Sequence, residues 1–313
     1  MTASLEFEHF ALLYGDNDAF MAATRDFIEA GLDAREPVLV AVPGAKIESM
    51  RTMLDGASAR VDFLNMNELG RNPGRIIPAV RDWVDSRGLG ANGHRLGRCR
   101  FIGEPIWPGR SATEVVEATR HEALINLAFA DAPVTILCPY DTAGLDPAIV
   151  ADAERTHPHL TCGGEGFASD HYEEPLDIWQ ARDWPLPEPA RAPAAMKISF
   201  DLATVREFST AQLRRAGVAE SRLPDLVLAI NEAATNALIH GGGGCELRIW
   251  QDTHQVICEV TDHGLFDEPL AGRRRPGPEV SSGRGVWLMN QLCDLVELRS
   301  TETGTAVRLH AEA

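Results

Sequence analysis

The sequence predicts an α/β protein of two domains, a doubly wound, mostly parallel sheet followed by a two-layer α/β sandwich. Three observations carry this. The chain has 313 residues and 44% hydrophobic content, more than one core usually organises and enough to supply two. A stretch over 175–196 carries Pro175, Pro185, Pro187, Pro189 and Pro193 and reads as an extended linker. Strand and helix patterns alternate strictly before it, whereas after it helices gather and strands come in hairpins. The expected domains are therefore 1–174 and 197–313.

In the first domain, β-rich runs fall at 9–14, 37–42, 61–65, 100–104 and 134–139, and helical periodicity at 17–30, 45–54, 74–85 and 112–129. Such alternation builds right-handed βαβ units, hence a parallel sheet covered on both faces. The second domain opens with a short strand near Ile198 and helices at 204–216 and 223–240. Strands at 245–251 and 255–261 follow, then a Gly-, Pro- and Arg-rich stretch over 263–282, a helix at 285–293, and strands at 295–301 and 305–310.

The net charge is −17, of which −13 precedes Lys197 and −4 follows from it onward. Phosphate backbones and anionic bilayers attract stripes of Lys and Arg, and the dense basic run here is limited to Arg273, Arg274 and Arg275. Neither direct nucleic-acid binding nor membrane attachment is expected. The start, 1–10, lacks a basic end followed by an apolar run, so the expectation is a soluble cytoplasmic protein. Cys99, Cys138, Cys162, Cys245, Cys258 and Cys293 form no CxxC pair and read as reduced structural thiols.

The segment LAINEAATNALIHGG repeats Leu226, Ile230, Ala233 and Ala237 at helical spacing, marking a face toward a sheet. Glu232, Asn236 and His240 stack beside that face at i, i+4 and i+8, where a carboxylate and an amide can point together into a cleft. Farther on, the strand VICEVTDHG presents Asp262 at its end, and Gly264 lets the chain turn away. SSGRGVWLMNQL then puts Gly283 and Gly285 at a helix start, whose free N–H groups can receive phosphate oxygens.

In this order and spacing, NEAATNALIH resembles the N box of GHKL ATPases, TDHG the first glycine box, GRGVWLMNQLCD the second, and GTAVRL the strand that completes the adenine pocket. The resemblance covers essentially all of 197–313 and, within the superfamily, is closest to bacterial anti-sigma-factor serine kinases with their GHKL/Bergerat ATP-binding fold. It implies that Asn236 coordinates Mg²⁺ bridging the phosphates of ATP and that Glu232 orients or deprotonates the attacking hydroxyl. It further implies that Asp262 accepts from the adenine amine, Gly264 leaves room for the base, Gly283, Arg284 and Gly285 wrap the phosphates, and Thr305 supports the adenine pocket. Oxygen ligands suit Mg²⁺, a carboxylate suits an amine donor, and glycine suits close backbone approach. The family's first glycine box carries a second glycine shortly after the first, and here none falls between Gly264 and Gly272.

The first domain has no GxxxxGK[ST]: PGAKIESM offers Gly44 and Lys46 without the remaining pattern. Over about 6–160 it resembles the MEDS sensory domain, a RecA-like relative without NTPase motifs, through His9 in HFALLYG, GLDAREPVLVAVP, RFIGEPIW and HEALINLAF. Glu104 and Trp107 fall at a strand end, the edge where parallel sheets bind ligands, or else they pack and pair locally, Glu104 with an Arg. His157, His159, Cys162 and His171 offer metal-ligating groups in a spacing that matches no standard framework.

The resemblances together imply a regulator whose N-terminal domain senses an unidentified small molecule. Its ATPase domain would sequester a sigma factor and phosphorylate a serine of an anti-anti-sigma partner, in a homodimer. Two alternatives stay open, a partner-sequestering module that binds ATP without transfer, and a sensor histidine kinase. The latter needs a phospho-accepting helical hairpin where the proline-rich stretch stands.

Overall fold

A computed structural model describes residues 7–88, 97–181, 186–277 and 283–313. It separates into two compact units, Met1–Gln180 and Ala181–Ala313. The first contains β1 (Glu8–Tyr14), α1 (Asn17–Asp33), β2 (Val38–Val42), α2 (Gly44–Leu54), β3 (Val61–Asn65), α3 (Met66–Leu69) and α4 (Ile76–Gly88). It continues with β4 (Cys99–Gly103), α5 (Ala112–Ala128), β5 (Val134–Asp141), α6 (Pro147–Thr156), β6 (His159–Thr161), β7 (Phe167–Ala168) and α7 (Pro175–Ala181).

The sheet order is β3-β2-β4-β5-β1-β6-β7, parallel from β3 to β6 with β7 antiparallel. Strand β2, VLVAV, is buried at every position, as a strand covered on both faces must be. One face packs Leu12, Tyr14, Val40 and Ile102 against Phe20 and Ile28 of α1 and Met50 of α2. Helix starts are set by local chemistry: Asp16 caps α1 through Ala19 N at 2.8 Å, and Ser111 with Glu114 forms a capping box on α5.

Helix α5 departs from an apolar stripe, because Glu117, Arg120, His121 and Glu122 are buried along with Ala118, Ala123, Leu124, Ile125 and Ala128. Beneath it, burial pushes His9 down to about 4, reinforced by His157. Burial opposes ionisation of Glu122, yet His157 and His9 hold its carboxyl well below the usual carboxylate range.

The second unit contains β8 (Ala194–Lys197), α8 (Leu202–Arg215), α9 (Leu223–His240), β9 (Glu246–Asp252), β10 (Gln255–Asp262), α10 (Arg284–Leu292), β11 (Leu295–Thr301) and β12 (Gly304–Glu312). Its antiparallel sheet runs β11-β12-β10-β9-β8. Alternate residues of β9, β10 and β12, among them Leu247, Ile249, Val256, Val260, Val307 and Leu309, meet Leu213, Leu226, Ile230, Ala233, Ala237 and Met289 of the helices. The opposite residues of the strands are charged: Glu259 lies between Arg248 (Nε at 2.8 Å) and Arg308 (Nε at 2.5 Å).

The stretch expected to be extended over 175–196 is structured at both ends. It begins as α7, since Pro175 sits where a helix has no use for its N–H, and Ile178 and Trp179 are buried. Arg120 lies 5.3 Å over the Trp179 ring. Nearer the second unit, Pro187 O accepts from Arg308 Nη2 at 2.6 Å and Glu188 pairs with Arg248 at 2.8 Å. The strand expected near Ile198 is Ala194–Lys197, and Ile198 N extends the pairing to Cys245 O at 2.9 Å. Pro185 lies outside the described residues, as does the end of the 263–282 stretch from 278. Among the described residues no helix is long and apolar enough to cross a membrane. All six cysteines are free, and Cys162 is exposed rather than structural.

Candidate nucleotide-binding site

Helix α9 buries Leu226, Ile230, Ala233 and Ala237 against the sheet, which leaves Glu232 and Asn236 half-buried on its flank. Among the described residues neither side chain is used in a hydrogen bond or ion pair, so both are available to a ligand. They face the start of α10. A side-chain carbon placed at Gly285 would come 3.0 Å from Asn236 Nδ2 and 3.1 Å from Glu232 Oε2. Gly283, the residue preceding α10, adopts φ 78°, a left-handed conformation that favours glycine, and it is exposed and makes no side-chain cap to the helix. Arg284 is exposed at the first helical position. His240, the third member of the polar stripe, is exposed at the end of α9, and its carbonyl packs beside Gly264.

A second group forms where β10 ends. Asp262 is half-buried and paired across the sheet with Thr305, and its Oδ1 accepts from Gly264 N at 2.7 Å. Burial pushes the Asp262 carboxyl up, opposed by that amide and by His263 and His240. Thr305 Oγ1 donates to Gly264 O at 2.8 Å and lies 3.1 Å from Ser300 Oγ, which accepts from Phe266 N at 2.8 Å. The chain around Gly264 is thus pinned on both sides. A carbon at Gly264 would stand 2.4 Å from His240 O, and one at Gly241 2.4 Å from Asp262 Cβ, so these two glycines let the end of α9 lie against the end of β10.

Gly241 and Ser300 escape a sequence reading, Gly241 because it opens a run of four glycines, Ser300 because a strand serine carries no signal. Gly304, which opens the GTAVRL strand, has a φ of 138°, and a carbon there would fall 2.0 Å from Asp262 O. Gly304→Ala is expected to cost roughly 2–4 kcal/mol by combining backbone strain with overpacking. Urea denaturation should show this loss, with the exposed Thr303→Ala within about 0.5 kcal/mol of wild type.

The match with known proteins agrees with this geometry. Residues 198–311 match the histidine kinase-like ATPase domain. The anti-sigma F factor of Bacillus subtilis is 34% identical over 98 residues, covering 28% of this chain and 67% of that protein. The chain belongs to the anti-sigma F factor family of histidine kinase-like ATPases. The anti-sigma F factor of Bacillus velezensis is 32% identical over 98 residues, with the same coverage. A crystal structure of the RsbU and RsbW domains of a Mycobacterium tuberculosis protein aligns with 20% identity and a TM-score of 0.29, over 40% of this chain and 33% of that one. Residues 8–158 match the MEDS family, the methanogen/methylotroph, DcmR sensory domain.

Within this anti-sigma-factor ATPase unit, Gly272, the next glycine after Gly264, is engaged elsewhere. It has φ 71°, and a carbon on it would lie 2.6 Å from Val286 Cγ1 of α10, while its carbonyl accepts from Asn290 Nδ2 at 3.3 Å. In the MEDS unit, Glu104 is buried and pairs with Lys46 at 2.6 Å rather than with an arginine, and it accepts from Tyr14 OH at 3.1 Å. Lys46, the lysine of the incomplete phosphate-loop fragment, is therefore held by a carboxylate. Trp107 stacks under Arg110 at 4.4 Å. The four residues of the HxHxxC region do not converge: His159 packs on Phe10 at 5.0 Å, Cys162 and His171 are exposed, and His157 is buried.

Proposed function

We propose that this protein is a cytoplasmic anti-sigma-factor regulator that binds ATP with Mg²⁺, sequesters a sigma factor and phosphorylates a serine of an anti-anti-sigma protein. A small molecule acting at the MEDS domain would govern it, and the working form would be a homodimer. The observation that supports the reading best is the convergence of two half-buried, unengaged side chains, Glu232 and Asn236, on the glycine-opened N-terminus of α10.

These residues fit the group. Asn236 would hold Mg²⁺ through its amide oxygen, and the ion would supply positive charge to the phosphates. Gly283, Arg284 and Gly285 would receive phosphate oxygens at the helix start. Asp262 would accept from the adenine amine, with Gly264 and Thr305 shaping the floor beneath the base. Glu232 would take the proton of the incoming serine as its oxygen bonds to the γ-phosphorus and the bond to the β–γ bridging oxygen breaks, releasing ADP.

The position of Gly272 supports one other reading, ATP held as a structural ligand without transfer, since that glycine packs on α10 instead of loosening the chain beside Gly264. Incubating the full chain with γ-labelled ATP and candidate partners separates the two. Label on a partner serine is the expected result. An intact ATP-bound complex without label would establish the binding module, and acid-labile label on this chain would establish a histidine kinase.

A further inference from the structure

Four side chains that play no part in the nucleotide site meet inside the MEDS unit. His9 on β1, Glu122 on α5, Cys138 on β5 and His157 just after α6 are each at most 1% exposed. The ligating atoms they offer all lie within 4.8 Å of one another. Topology assembles them. Strand β1 lies between β5 and β6, and His9 is in register with Ile136, so Cys138, two residues on, presents its side chain to the same face. The rings of His9 and His157 stand 4.0 Å apart.

The outer hydrogen bonds decide which ring nitrogens face inward. His157 Nδ1 lies 2.8 Å from Ala153 O, and a carbonyl only accepts, so Nδ1 carries the proton. His9 Nδ1 lies 3.1 Å from Asn126 Oδ1, whose orientation is fixed because Asn126 Nδ2 donates to Thr156 O at 2.8 Å. With Nδ1 turned to these outer acceptors, the neutral form of each ring directs a bare Nε2 lone pair to the centre. There it meets another acceptor, the Glu122 carboxylate, at 3.3 Å from His9 and 3.0 Å from His157. Neither Glu122 oxygen nor His157 Nε2 has a hydrogen-bond partner among the described residues. Cys138 Sγ completes the group, 3.4 Å from His9 Nε2.

Acceptors facing acceptors in a dry interior call for a cation between them. We propose that His9 Nε2, His157 Nε2, Cys138 Sγ and Glu122 bind one divalent ion of the zinc type. A tetrahedral zinc with bonds of about 2.0–2.3 Å spaces its ligand atoms roughly 3.3–3.8 Å apart, close to the contacts that stand here. The donor set of two imidazoles, a thiolate and a carboxylate suits that ion, and the two anionic donors cancel its charge. Binding releases the Cys138 thiol proton to solvent. Four protein ligands leave no open position, so the site is structural, clamping β1, β5, α5 and the end of α6. Asn126 and the Ala153 carbonyl act as positioning groups that aim the rings.

The test uses the untagged full chain. Elemental analysis after zinc loading and desalting should give about one zinc per chain. After chelation, cobalt(II) should produce tetrahedral d–d bands and a thiolate charge-transfer band. Cys138→Ser should abolish that charge-transfer band, Cys162→Ser should keep it, and Asn126→Ala should weaken the metal roughly 10- to 100-fold. A wild-type chain that takes up neither ion would overturn the proposal and leave a proton-sharing His–Glu–His cluster. So would a charge-transfer band that survives Cys138→Ser or vanishes with Cys162→Ser.

Discussion

Glu232→Ala is expected to lower serine phosphorylation roughly 10²- to 10⁴-fold, the usual contribution of a positioned general base, while leaving nucleotide binding in place. The carboxylate lies beside Gly285 at the start of α10, and the residues assigned to the base end, Asp262, Gly264 and Thr305, are hydrogen-bonded among themselves without it. Asn236→Ala should act differently. A ligand that binds the native state at about 100 times its Kd stabilises it by about 2.7 kcal/mol, and losing the metal contact should remove most of the ATP–Mg²⁺ shift in melting temperature. Full phosphorylation by Glu232→Ala would place the base elsewhere, and an unchanged melting shift in Asn236→Ala would remove that residue from the metal.

Glu259→Ala is expected to destabilise the C-terminal unit by about 3–5 kcal/mol, the cost of leaving buried charge uncompensated. Glu259 is 1% exposed and takes Arg248 and Arg308 on separate oxygens. Its removal takes the paired carboxylate from Arg308, which lies 5.2 Å over the Trp250 ring with little access to water and keeps the Pro187 carbonyl, and leaves Arg248 with the exposed Glu188. Glu188, exposed and paired with the same Arg248, is the internal comparison, since Glu188→Ala should cost at most about 1 kcal/mol. Urea unfolding of both variants tests the contrast, and equal losses would show that burial does not govern this cluster.

The legibility of the fold followed local signal strength. VLVAV and the apolar face of α9 are long and periodic, so β2 and α9 stand out from sequence alone. Strand β8, AAMK, has weak strand preference and forms because the edge of β9 pairs with it, which only the folded sheet supplies. Helix α7 is inconspicuous in the sequence because Pro175, which would break a helix interior, stands at its start. In the candidate nucleotide site, Glu232, Asn236, Asp262 and Gly285 stand out in the sequence because each sits in a short contiguous motif, whereas Gly241 and Ser300 act only through neighbours distant in the chain. The buried cluster of the MEDS unit lay beyond reach for the same reason. His9 and Cys138 are brought together by strand order, and the histidine that joins them, His157, is a sequence neighbour of His159 and Cys162, which turn elsewhere.

The pairing of β8 with β9 bears on how the chain can be dissected. A fragment beginning at 197 would remove Ala194, Ala195 and Met196 from the pairing with β9, together with Pro187 and Glu188, which hold Arg308 and Arg248. The bared edge of β9 would present unpaired amides and carbonyls to other copies, a template for sheet-to-sheet association. Fragments meant to report on the ATPase unit alone should therefore begin before Pro187, and self-association in a shorter one would reflect the cut rather than the native oligomer.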